Sequence, residues 1–213
     1  MTIIILSLLV FASAAAYMAA IYLKKAKWIY VLKPGTMLLI IGVALIDLQG
    51  AGKYGILIVF GLLFSLAGDL FLMLPTDRFL EGLISFFIAH VIYAAAFMAE
   101  WSQKLDDLNV LIWLMLALLA LLFFRLLLNG VKEKGGRAMV VAVSLYITVI
   151  SVMTGMSFLS SQGFVIAAAL FFYLSDATLA WDRFKSSLKY RDYMVMSTYF
   201  LAQFLFAVSV YLF

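Results

Sequence analysis

Long apolar runs alternate with short polar breaks along this chain. Eight runs stand out, at roughly 2–23, 29–48, 54–74, 79–99, 108–128, 137–159, 162–181 and 193–213. Each approaches the roughly 20 residues that a helix needs to cross a hydrocarbon core of about 30 Å. None alternates with the period of two that marks a membrane barrel strand. The pattern predicts an all-α polytopic membrane bundle of eight transmembrane helices, a single domain over 1–213. No polar break is long enough to hold a soluble domain.

Composition agrees with that reading. Hydrophobic residues make up 67% of the chain and charged residues 12%, more apolar surface than a soluble domain of this size can bury. Ala12-Ser13-Ala14 resembles a signal-peptide cleavage site. However, no positive charge precedes the first run, and it continues to Leu23, so a retained first helix is expected. The absence of cysteine excludes disulfides, thiolate catalysts and thiolate metal sites.

Charge then supplies an orientation. The first polar break carries Lys24, Lys25, Lys27 and Lys33, and the third carries Arg78. The fifth region carries Arg125, Lys132, Lys134 and Arg137, and the seventh break carries Arg183, Lys185, Lys189 and Arg191. These are 13 of the 15 basic residues; only Lys53 and Lys104 fall on the other side. The positive-inside rule puts the basic breaks in the cytoplasm and both termini outside it. The expected location is a multi-pass position in a membrane, the bacterial inner membrane. Basic loops of this kind set topology and meet lipid headgroups, so no nucleic-acid partner is expected. Trp28, Tyr30, Trp101 and Trp181 lie at run ends and read as an interfacial aromatic belt, while Asp47, Glu100, Arg125 and Asp182 read as interfacial charges.

Against this background, Asp69, His90 and Asp176 are conspicuous. An ionisable side chain at membrane depth costs a few kcal/mol or more and marks a functional site by default. At 1.5 Å per residue, Asp69 lies about 7 Å and Asp176 about 9 Å from the cytoplasmic ends of the third and seventh segments, and His90 about 16 Å deep in the fourth. Lys33 is expected to open the second segment from the same side, with Pro34 in its first turn. The four side chains are therefore expected to share a cavity in the cytoplasmic half. The bland alternative is that each Asp merely bonds a neighbouring helix.

A weak internal repeat strengthens the pairing. Aligning the third and seventh segments on their aspartates sets Leu63-Phe64 on Leu170-Phe171 and Gly68-Asp69 on Ser175-Asp176. Aligning the fourth and eighth sets Phe86–Ala94 on Tyr199–Ala207, with His90 opposite Gln203. A parallel four-plus-four duplication would produce this, a device that membrane carriers use.

The residues narrow the chemistry. A zinc hydrolase commonly needs about three ligands rich in His, and the chain has one His. Ser65 and Ser175 lack the surroundings of an activated nucleophile. Leu66 stands where an intramembrane aspartyl protease requires Gly. What the chain can supply is two carboxyls in unequal environments, able to divide acid and base roles. A proton-coupled carrier of a lipid or small molecule is the alternative, but Pro34 and Pro75 are the only prolines and both lie near segment ends.

Four stretches carry a resemblance: Lys33-Pro34, Gly61–Leu74 (GLLFSLAGDLFLML), Phe86–Tyr93 (FFIAHVIY) and Leu174–Ala180 (LSDATLA). In this order, over nearly the whole chain, they resemble the YhhN family of membrane lysoplasmalogenases. That resemblance implies hydrolysis of the vinyl ether bond of a lysoplasmalogen to a fatty aldehyde and a glycerophospho-base. Asp69, Asp176 and His90 would be the catalytic residues, and Lys33, Tyr93, Ser175 and Gln203 would bind substrate. The expected partners are the lysophospholipid and the bilayer, with no protein partner evident. Acid-catalysed vinyl ether hydrolysis needs a proton donor, an anion beside the cation that forms, and a positioned water. It requires no metal or cofactor.

Overall fold

The computed structural model describes residues 1–100 and 107–212. Trp101 and Lys104 lie outside the described residues, as do Phe213 and the side chain of Glu100. Seven helices follow one another: α1 (Thr2–Tyr22), α2 (Ala26–Ala44), α3 (Gly52–Met73), α4 (Phe79–Glu100), α5 (Asp107–Leu159), α6 (Gly163–Phe184) and α7 (Arg191–Leu212). All seven are long and apolar enough to cross a membrane, and there is no strand among the described residues.

Seven helices replace the eight that the sequence predicts, because the fifth and sixth runs both fall within α5. Its 53 residues would reach about 80 Å if straight, far beyond a bilayer. They do not run straight. Gly135 (φ −158°, ψ 16°) and Gly136 (φ 58°, ψ −149°) leave helical geometry, and the positive φ of Gly136 is one that glycine adopts without a Cβ penalty. The two arms, 107–134 and 137–159, fold back on each other. A Cβ added to Gly155 in the second arm would lie 2.8 Å from the Trp113 ring in the first. The polar run around Lys132–Arg137 is thus a bend within a helical hairpin.

The second helix also differs from expectation. It begins at Ala26, so Pro34 lies inside it rather than in its first turn. Nothing in Ala26–Val31 breaks a helix, and the Lys25 carbonyl accepts the opening hydrogen bonds from Trp28 N–H and Ile29 N–H. Pro34 lacks the N–H that would bond the Tyr30 carbonyl. Lys33 is therefore carried well into the bundle and is buried.

Neighbour packing closes α2, α3, α4, α5, α6 and α7 into a ring, with α1 against α2 and α7. Small residues set a close contact between α3 and α4. A Cβ on Gly61 would lie 2.3 Å from the Tyr93 ring, and one on Gly68 would lie 2.7 Å from the Phe86 ring. Such close approach of backbones suits helices that associate in lipid by packing. Phe172 is fully buried inside the ring, with Phe86, His90, Tyr93 and Tyr199 edge-on around it. The outer surface keeps Ile4, Leu8, Leu111, Leu118 and Val141 exposed, a continuous apolar exterior that requires lipid as solvent.

One end of the bundle gathers the basic segments. Arg183 at the end of α6 pairs with Asp77, between α3 and α4, at 2.5 Å, and its guanidinium stacks over Phe79. The same pairing holds the exposed Asp77 carboxyl below the ordinary carboxylate range. Lys134, at the α5 bend, donates to the Arg183 carbonyl. Arg191 approaches Asp182 at 3.6 Å across the α6–α7 loop. At the opposite end, Tyr54 near the start of α3 bonds Ser209 near the end of α7, at 2.6 Å.

Candidate active site

The aspartates sit on α3 and α6, Asp69 about one turn and Asp176 about two turns from the basic end of its helix. Asp69 is buried and engages both oxygens. Its Oδ1 lies 2.9 Å from Lys33 Nζ on α2, and its Oδ2 accepts a 2.6 Å hydrogen bond from the Tyr199 hydroxyl on α7. Helix α2 delivers Lys33 to this depth because it begins at Ala26, about two turns earlier. A charge pair this far from water is retained only when each partner's remaining valences are met. Tyr199 helps to meet them.

Asp176 is held differently. Its Oδ2 accepts from the Tyr146 hydroxyl at 2.5 Å and from His90 Nε2–H at 3.1 Å. His90 and Tyr146 are themselves 3.0 Å apart, and His90 Nδ1 faces Met153 Sδ at 3.3 Å. The second arm of α5 supplies Tyr146 and Met153, and α4 supplies His90. Both hydrogen bonds fall on one oxygen, so Oδ1 has no protein donor among the described residues. No lysine or arginine pairs with Asp176 among the described residues.

The two carboxyls face one cavity of about 350 Å³ near the basic end, lined also by Tyr17, Lys33, Ser175, Arg191, Asp192 and Tyr199. Of the residues singled out from sequence, Lys33, Asp69, Ser175 and Asp176 meet at this cavity. Ser175 turns its hydroxyl away, donating to the Val195 carbonyl at 3.0 Å. His90 is fully buried behind Asp176 and reaches the cavity only through it. Tyr93 and Gln203 stand apart from it: Tyr93 O–H donates to Gln203 Oε1 at 2.7 Å deep in the bundle. Neither side chain lines this cavity, and the Tyr93 ring lies edge-on to Phe172. The aligned pairs do not share partners either. Gln203 bonds Tyr93, whereas its counterpart His90 bonds Asp176.

Sequence reasoning passed over Tyr146, Tyr199 and Arg191. The first two carried a usable signal. Tyrosine in lipid collects at segment ends, but both of these stand inside apolar runs, where a buried hydroxyl needs a partner. Each is the hydrogen-bond donor to one of the two aspartates. Among the described residues, no three His, Cys, Asp or Glu side chains converge as metal ligands.

Chemically, the site offers one carboxyl locked in a cation pair and one with an open oxygen, a few side chains apart in a confined space. The YhhN family model matches residues 28–210. The chain is 33% identical over 164 residues to lysoplasmalogenase TMEM86B of Sus scrofa, covering 76% of this chain and 66% of that protein. It is 31% identical over 160 residues to lysoplasmalogenase TMEM86A of Homo sapiens, covering 70% of this chain and 62% of that one. Against human lysoplasmalogenase TMEM86B, identity is 30% over 159 residues, covering 75% and 65%. The chain thus spans just under two thirds of the length of these relatives. No solved structure matches it.

Proposed function

The chain belongs to the YhhN family, and we propose that it is a membrane-embedded lysoplasmalogenase that cleaves the vinyl ether bond by proton transfer from Asp176. The observation that carries the reading is the cavity lined by both aspartates, in a chain whose relatives are named for that activity. The oxygen left open on Asp176 supports assigning the proton donor there. Asp69 has Lys33 on one oxygen and Tyr199 on the other, so it has no free position from which to hand a proton to substrate.

In this mechanism the vinyl π pair takes a proton from Asp176 at the carbon remote from oxygen, leaving an oxocarbenium ion. The Asp176 carboxylate, steadied by Tyr146 and His90, then stands beside the positive charge. It accepts a proton as water adds to the charged carbon. The hemiacetal hydroxyl then gives up its proton to the glycerol oxygen as the carbon–oxygen bond to glycerol breaks, which gives aldehyde and alcohol with one water consumed overall. Lys33, Asp69 and Tyr199 hold the polar end of the lipid. Purified protein given a lysoplasmalogen should release free aldehyde. Absence of aldehyde release from well-folded protein would remove the proposal.

We further read the two arms of α5 as separate crossings, which gives eight in all and both termini outside the cytoplasm. The basic breaks meet at one end of the bundle through Asp77–Arg183, Lys134–Arg183 and Asp182–Arg191, in keeping with the 13-to-2 division of basic residues. Reporter fusions after residue 212 and within the 132–137 bend should report opposite sides of the membrane. The same side for both would overturn the eight-crossing reading.

A further inference from the structure

A second opening reaches Asp176 from the other direction. Between α4, α5 and α6 lies a narrow crevice of about 40 Å³, lined by Phe79, Phe123, Val143, Ile147, Ala180 and Phe184 among other apolar side chains. Tyr146, Tyr173 and Asp176 are the polar residues on its wall. The polar cavity lies between α1, α2, α3, α6 and α7. The two spaces share four lining residues: Leu72, Phe86, Asp176 and Leu179. No Cα of α3 comes within 8 Å of one in α6, so only side chains such as Leu72 and Leu179 fill the gap between those helices.

We propose that this crevice is the binding site for the single hydrocarbon chain of the substrate, and that the chain reaches it through the fissure between α3 and α6. The assignment rests on the lysoplasmalogenase reading and deepens it. A lysophospholipid has one polar end and one unbranched chain. Here a polar cavity carrying Lys33, Arg191 and Asp192 adjoins an apolar crevice, and the junction holds a carboxyl. Placing the chain in the crevice and the phosphate end in the cavity sets the bond between them beside Asp176. The crevice is narrow enough that a chain enters by displacing side chains, which favours one unbranched chain over two. Burial of apolar surface supplies the affinity, at about 0.8 kcal/mol per methylene. A further apolar groove, between the α5 arms around Trp113, Leu121 and Thr148, touches neither carboxyl.

The test uses a lysophospholipid with a saturated ether at the chain linkage, which this reaction cannot cleave, and a diazirine near the chain terminus. Irradiation with the intact protein in lipid nanodiscs, followed by peptide mapping, should place adducts on Val143, Ile147, Ala180 and Phe184. Excess lysoplasmalogen should suppress them. Ala180→Phe narrows the crevice and should reduce that labelling about tenfold. Adducts concentrated around Trp113 and Leu121, or labelling unchanged in Ala180→Phe, would overturn the assignment; should that variant fail to fold, the native adduct map decides alone. The two readings separate cleanly. Labelling in the crevice without aldehyde release keeps the chain site and removes the activity. Aldehyde release with labelling elsewhere keeps the activity and removes the chain site.

Discussion

Asp176→Asn is expected to lower the turnover of a lysoplasmalogen by about 10² to 10⁴, the usual span for loss of a general acid or base. Asparagine keeps the size of the side chain, and its amide oxygen can still accept from Tyr146 and His90. The protein should therefore insert and fold as before. What it loses is the ability to carry a proton on the oxygen that has no protein donor. Substitutions behind the carboxyl should cost less. Tyr146→Phe removes the 2.5 Å hydrogen bond and should cost about tenfold, the worth of one hydrogen bond to a charged group. His90→Gln keeps an N–H that can reach Asp176 and should cost less than the loss of Asp176 itself. Initial rates of aldehyde release, with substrate-binding affinity measured in parallel, separate these effects. Wild-type turnover in Asp176→Asn would show the residue to be a packing element and would end the proton-transfer mechanism.

How far these features were legible in the sequence depends on what each residue does. A charge inside an apolar run is costly wherever it stands, so Asp69, Asp176, His90 and Lys33 could be singled out without knowing any contact. Their grouping follows from the same cost, because each needs a partner away from lipid. Which partner each takes was not legible. Lys33 falls on Asp69 only because α2 begins at Ala26, and proline in a single sequence reads more readily as a helix start. Tyr146 and Tyr199 were hidden by their amphipathic nature, since tyrosine is unremarkable among apolar residues until its hydroxyl is seen to be buried. Tyr93 and Gln203 show the converse. Their polarity drew them into the expected site, yet the Tyr93 hydroxyl donates to Gln203 Oε1 and neither lines the cavity. The α5 hairpin failed for a local reason: Gly135 and Gly136 turn the chain within so short a span that helix runs almost unbroken on both sides.

The Lys33–Asp69 pair should show the largest effect on stability. Removing one partner of a buried ion pair leaves the other charge uncompensated, at a cost of about 3–5 kcal/mol. Both side chains here are nearly inaccessible, at 9% and 3% of their free exposure, so solvent does not screen the loss. Lys33→Met and Asp69→Leu should each lower the midpoint of thermal unfolding by roughly 6–20 °C, taking about 2–4 °C per kcal/mol for a chain of this size. The double variant replaces the pair by apolar groups of similar bulk, leaves no charge stranded, and should recover most of that loss. Tyr199 is then left without its acceptor, so recovery should stop short of wild type by about 1–3 kcal/mol, the price of an unpaired buried polar group. Turnover should not return with stability, because the proposed mechanism uses Lys33 and Asp69 to hold the polar end of the lipid. A thermal-unfolding cycle of the four proteins, with aldehyde release measured on each, reads both quantities. Additive losses in the cycle would show that the pair is not coupled in the folded protein. A double variant that regained both stability and turnover would make Lys33 and Asp69 structural and leave Asp176 with its two hydrogen-bond donors as the whole of the catalytic apparatus.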